Sequence, residues 1–165
     1  MPRLAVDRST LPLVNAFECL ECGNPRGLLP EVCPYCGSAQ PPFAHTDFAT
    51  INLERGLPVV EDALQRLDTF IRAGFDAGLK WLLVLHGYGS SGQGGRIRLA
   101  VRADLAANRW AERVREAYPG EAVANPSDLN LARSGSRDGL FPYLVSRRLV
   151  GNAGVTILLM HTRRA

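Results

Sequence analysis

Lysine is almost absent: Lys80 is the only one among nineteen basic side chains, and the chain has three histidines, two methionines and four cysteines. His45 and His161 stand far from His86 and from any carboxylate cluster at ligand spacing, so a hydrolytic metal centre of imidazoles and carboxylates is not indicated. Long apolar runs are missing too. The longest, Trp81–Leu85 and Val155–Met160, have the length of core strands and fall far short of the ~20 residues that span a bilayer, so no membrane partner is expected. Met1–Arg8 lacks the apolar stretch of a signal peptide. With paired cysteines, that absence predicts a reducing, cytoplasmic setting.

What is present begins with Cys19-Leu-Glu-Cys22 and Cys33-Pro-Tyr-Cys36, two Cys-x-x-Cys turns ten residues apart, each followed by glycine. Such a turn points two thiolates at one centre, and two turns supply the four soft ligands of a closed structural Zn²⁺ site. All four cysteines are used, leaving none for a nucleophile. A pair of disulfides, or an oxidoreductase motif, needs an export signal or a βαβ pattern around one lone Cys-x-x-Cys. Iron in a rubredoxin-like cage accepts the same four thiolates and is the chemical rival of zinc. Leu20 and Tyr35, between the cysteines, are either exposed contact residues or cover for the metal, and cover is the expectation.

At 165 residues with 46% hydrophobic content, the chain can bury ~70% of its unfolded surface. That suffices for one core and a small metal-held module. The division expected is residues 1–45 as zinc ribbon and linker, with Pro41-Pro42 stiffening the junction, and residues 46–165 as an α/β domain. Phe48–Leu53 reads as a strand. Val60, Ala63, Leu64, Leu67, Phe70, Ile71 and Phe75 recur at helical steps behind Pro58, which suits a first turn, and Gly78 stops the helix. Leu79–Leu85 is a buried strand, Ile97, Ala100, Val101 and Leu105 restore a helical period, and Val155–Met160 is a last strand. Residues 110–151 are the least legible, with strand material at 114–117 or 122–124 and a helix near 139–150.

Charge is uneven along the chain. Residues 96–165 hold twelve basic and six acidic side chains, whereas the stretches before them are slightly acidic. A cationic half mildly favours a polyanionic partner. Arginine's planar fork suits phosphate, although the base composition of a genome also trades lysine for arginine.

The basic stretch opens at a distinctive place. His86 ends the apolar strand and precedes Gly87-Tyr88-Gly89-Ser90-Ser91-Gly92-Gln93-Gly94-Gly95, which opens a helix bearing Arg96, Arg98 and Arg102. Ligands of α/β sheets bind at the carboxyl ends of strands. Amides of Gly87, Gly89 and Gly92, a helix N-terminus and those arginines could together hold a phosphate, with imidazole beside it. The plain alternative is a strand-capping histidine and a loop without ligand. Gly87-x-Gly89-x-x-Gly92 also matches a dinucleotide fingerprint in form. Two more glycines separate it from the helix, however, and no acidic residue ends a second strand ~20 residues on.

His86-Gly87-Tyr88-Gly89 after an apolar strand, Ile97-Arg98-x-x-Val101 after the loop, and the helix carrying Ala63-Leu64 and Leu67-Asp68 resemble the small MutS-related (Smr) domain. The resemblance runs over roughly residues 50–105, with Gly154–Ile157 as the final strand. It implies a two-layer βαβα-type sandwich with a four-stranded mixed sheet, akin to the C-terminal domain of bacterial translation initiation factor three. It also implies DNA or RNA binding, nicking or RNA-cleaving activity in some members, and association with ribosomes in others. The family's first strand usually ends Leu-Asp-x-His-Gly. Here Asn52 replaces the aspartate, Glu54 or Arg55 holds the histidine position, and one residue is inserted. The glycine loop is also longer than usual, and a zinc ribbon is not a general part of the domain.

A metal-independent endonuclease built on these residues would use His86 as general acid or base, arginines and loop amides on the phosphate, and Glu54 as a second proton carrier. A non-catalytic nucleic-acid or ribosome-associated module, or a protein adaptor with structural zinc, needs only the arginine face and the ribbon. Glu18, Glu21 and Glu31 beside the cysteines argue against direct phosphate contact by the ribbon.

Overall fold

The fold is taken from a computed structural model in which residues 17–26, 32–40, 42–44, 48–54, 58–87, 94–129 and 140–162 are described. Three two-residue strands, β1 (Phe17–Glu18), β2 (Pro25–Arg26) and β3 (Phe43–Ala44), form a small antiparallel sheet in the order β2-β1-β3. The second sheet comprises β4 (Phe48–Asn52), β5 (Trp81–Leu85), β6 (Val114–Pro119) and β7 (Val155–Met160), in the order β4-β5-β7-β6. β4 and β5 are parallel, and β7 runs antiparallel to both of its neighbours, so the sheet is mixed. Helix α1 (Val60–Asp76) follows β4 and α2 (Gly94–Ala106) follows β5.

Period-two alternation separates two cores. On one face Ile51, Leu82, Val84 and Leu158 meet Ala63, Leu67 and Ile71 of α1 and Ile97 and Val101 of α2. Residues 81–84 of β5 and all six of β7 are buried. These strands are central and covered on both faces, which is why their sequences are nearly all apolar. Phe17 of β1 belongs to the same core, at 1% exposure, so the cysteine module is seated on the α/β domain.

Within residues 110–151, the least legible stretch of the sequence, the strand expected at 114–117 is β6 and the helix expected near 139–150 is found at Leu140–Ser146; the described residues after β6 cover the second face. After β6 come two short 3₁₀ turns, Gly120–Ala122 and Pro126–Leu129, then helix α3 (Leu140–Ser146). Val123, Leu129, Leu140, Leu144 and Leu149 bury Trp81, Leu83, Val155, Ile157 and Leu159. The two-layer unit of sheet and α1/α2 is therefore joined by a third layer of irregular chain. Pro58 lies just before the helix rather than inside its first turn: Val59 is the N-cap and has no side-chain capping bond.

Candidate functional site

Two near-identical turns carry the cysteines. Gly23 N–H donates to Cys19 O at 3.0 Å and Gly37 N–H to Cys33 O at 2.9 Å; Cys19 N–H reaches Asn24 O and Cys33 N–H reaches Ser38 O. Gly23 and Gly37 take φ of +72° and +75°, a conformation glycine adopts at no steric cost. All four sulfurs lie within 4.8 Å of one another, with Cys19 Sγ 3.6 Å from Cys36 Sγ and Cys22 Sγ 3.7 Å from Cys33 Sγ. A disulfide needs ~2.05 Å, whereas ligands ~2.3 Å from a tetrahedral centre stand about 3.8 Å apart. The set thus has the dimensions of a four-thiolate metal site.

The thiols also titrate unequally. Burial raises Cys33, but N–H donors from Cys36 and Tyr35 and the neighbouring sulfurs overcome it and hold the thiol down to about 6. Cys36 receives an N–H from Ser38, yet burial and three adjacent sulfurs push it up to about 12. Four thiolates cannot share so small a volume without a cation. Leu20 and Tyr35 do not cover the sulfurs as expected. They are 61% and 66% exposed; Cys22 and Cys36 are exposed as well, whereas Cys19 and Cys33 are buried.

The second cluster sits where the carboxyl ends of β4 and β5 adjoin. Asn52 pairs with Leu85 in parallel register. Asn52 Oδ1 accepts from Glu54 N–H at 2.9 Å, turning the chain so that the Glu54 carboxylate lies over Gly87. Gly87 has φ +71°, and a Cβ there would fall on that carboxylate. His86 is at the predicted strand end but is fully buried. Its backbone N–H and that of Gly87 both donate to Gly154 O.

The ring of His86 is occupied at both nitrogens. Nδ1 is 2.8 Å from Gly87 O, a group that can only accept, so Nδ1 carries the proton and Nε2 accepts from Thr156 Oγ1–H at 2.7 Å. Burial pushes its pKa below 6.5; the Gly87 carbonyl opposes this, and the charges of Arg102 and Arg98 add to it. The imidazole is therefore neutral at pH 7. In this geometry it holds the strand end and the start of the glycine loop, and no lone pair is presented to solvent for the acid–base role expected of it.

The arginines differ in exposure. Arg96 is exposed, whereas Arg98 and Arg102 are half-buried. Arg102 makes a two-pronged ion pair with Glu121, Nη1 to Oε1 at 2.5 Å and Nη2 to Oε2 at 2.7 Å, and Nη2 also lies 3.5 Å from Ala153 O. The Arg102 bonds, helped by the nearby charge of Arg98, hold the Glu121 carboxyl below the usual range. The Nε atoms of Arg98 and Arg102 are buried without a hydrogen-bond partner. Unpaired buried donors are costly, and an acceptor, an anion among others, would satisfy them.

The structure thus brings His86, Gly87, Glu54, Arg98 and Arg102 to one edge, with Arg96 at the start of α2. Gly89, Gly92 and Arg55 lie outside the described residues, as does His45. His161 ends β7, exposed, with Nε2 donating to Ala111 O at 3.0 Å. Two residues of the edge escaped the sequence reading. Thr156 is the one hydroxyl within the apolar strand Val155–Met160, a polar group that burial obliges to find a partner. Glu121 gave no signal, lying in the least legible stretch.

Residues 55–123 match the family model of the Smr domain. Endonuclease MutS2 of Aquifex aeolicus (strain VF5) is 40% identical over 62 residues, which are 38% of this chain and 8% of that relative's length. Among solved structures, the Smr domain of Thermus thermophilus MutS2 is 23% identical with a TM-score of 0.40, the alignment covering 69% of this chain and 96% of that one.

Proposed function

Because residues 55–123 match the Smr domain model, we propose that the chain binds nucleic acid by its phosphates, at the edge formed by the ends of β4 and β5 and the start of α2. The observation that carries this reading is the pair of guanidinium groups, Arg98 and Arg102, whose buried Nε donors lack partners beside a strand-end glycine. Arg96 extends the cationic surface into solvent. Backbone N–H groups and the dipole at a helix N-terminus favour anions in the same place. The basic half of the chain supplies attraction at longer range.

The four-cysteine site holds zinc in this reading. Thiolate ligands alone, no open position and a small sheet without a core of its own fit a structural ion. The ribbon stabilises β1–β3 and takes no part in chemistry. Its described exposed charge is acidic, which argues against direct phosphate contact by the ribbon.

Nicking is the second reading, favoured by the name of the endonuclease relative. The groups available for it are the Glu54 carboxylate over Gly87 and Nε2 of His86, the latter only after Thr156 turns its hydroxyl away. Incubating zinc-loaded protein with labelled DNA and RNA, beside His86→Ala and Glu54→Gln, separates the readings. Binding without cleavage supports the module. Cleavage abolished by either substitution, with binding retained, supports the nuclease. Failure of the wild type to bind either polymer rejects both.

A further inference from the structure

Glu121 stands in a place where a phosphate-binding edge has no evident use for a carboxylate. Its two oxygens meet both Nη atoms of Arg102 at 2.5 and 2.7 Å, the parallel fork by which a guanidinium takes a phosphate. The pair is not deeply buried: the side chains are 26% and 41% exposed. Arg98 stands close enough that its charge acts on Glu121 as well as on His86. One carboxylate therefore balances one of two guanidinium groups at the edge.

We propose that Glu121 is an internal competitor for phosphate: it occupies Arg102 in the free protein, and a phosphodiester displaces it when nucleic acid binds. The inference rests on the reading of this edge as a phosphate site and adds the residue that tunes it. Arg102 arises from the middle of α2, whereas Glu121 sits in the short turn after β6, two elements that the ion pair alone ties at this point among the described bonds. The hydrogen bonds that fix the edge, from His86 and Gly87 to Gly154 O and from His86 to Thr156, do not involve Glu121. Releasing the carboxylate therefore leaves the strand ends in place. The exchange conserves charge pairing at Arg102, so each binding event returns one carboxylate to water for one phosphate taken up. Affinity is held below what three arginines would give, while the number of phosphates neutralised in the complex, and with it the salt slope, is unchanged.

The test is Glu121→Gln, which keeps size and removes charge. Duplex DNA and RNA binding is measured against salt for wild type, E121Q and the double variant E121Q/R102Q, with thermal melting confirming that each is folded. The expected result is that E121Q binds about tenfold more tightly at low salt. Its slope of log affinity against log salt should stay close to that of the wild type, because Arg102 meets the same phosphate in both complexes. R102Q on that background should remove the gain in affinity and make the slope shallower by about 0.7–0.9. Equal or weaker binding by E121Q identifies the pair as a strut and overturns the proposal. If the wild type binds neither polymer, the underlying reading fails by itself. Arginine side-chain N–H resonances titrated with inorganic phosphate then judge the competitor: they should shift at Arg102 at lower phosphate in E121Q than in the wild type, and no shift in either overturns it. If E121Q does not fold, E121D serves in its place, because its shorter side chain breaks the two-pronged geometry while keeping the charge. An affinity unchanged in E121D, with no shift at Arg102, likewise overturns the proposal.

Discussion

His86 is the residue on which the edge turns, and its two hydrogen bonds make its role testable. Burial lowers its pKa below the 6.5 of a free imidazole, so the unfolded chain takes up a proton at higher pH than the folded one. Stability from this residue is then fully present above pH 6.5 and declines as pH falls from there toward the folded-state value. His86→Gln removes that titration. Melting temperatures compared between pH 7.5 and 5.5 should fall further in the wild type than in the variant, and equal falls would contradict the assignment of a buried neutral ring. Thr156→Val is nearly isosteric but leaves Nε2 without its donor. It should cost about 1–3 kcal/mol, the usual penalty for orphaning a buried acceptor, as read from denaturant midpoints.

At the scale of elements, the cysteine turns and the helices behave differently. The turns lack a core: of the described apolar residues there, Leu20, Val32 and Tyr35 are exposed, and the metal is what can hold them together. Phe17, however, reaches into the core beneath α1 and α2. Removing the metal with a chelator, or replacing Cys36 by Ser, should lower the melting temperature of the whole domain by several degrees, and a mass-spectrometric count should give one zinc per chain. An unchanged melting curve would mean that Phe17 holds its place without the ion.

These elements were unequally legible. The turns could be read from spacing because a tetrahedral ion dictates it, and β5, α1 and β7 from apolar periods that burial on one or two faces imposes. The layer over the second face could be read only at its helix, near 139–150. Its other contacts come from single residues such as Val123, Leu129 and Leu149, held by short turns with no period of their own. Asp128, whose carboxylate caps the N–H groups of Ala124 and Asn125, is the kind of local device that replaces a repeating pattern there. At the edge, the motif placed His86 and Gly87 correctly along the chain. Whether the ring faced solvent or Thr156 depended on a strand seventy residues away, which local sequence does not encode.

The molecule as a whole is an electrostatic asymmetry built on a rigid sheet. Acidic side chains surround the cysteine turns, and the stretch from Arg96 onward carries a surplus of six positive charges. Arg96 and Arg98 open that stretch at the junction of two parallel strands and a helix, so long-range attraction and local recognition converge on one edge. The most direct measurement is nucleic-acid affinity as a function of salt, for wild type and for Arg96→Ala/Arg98→Ala. The account predicts a steep linear fall of log affinity with log salt, made shallower by about 1.4–1.8 in the double variant as two phosphate contacts are lost. A flat dependence, or a slope that the two substitutions leave unchanged, would contradict it.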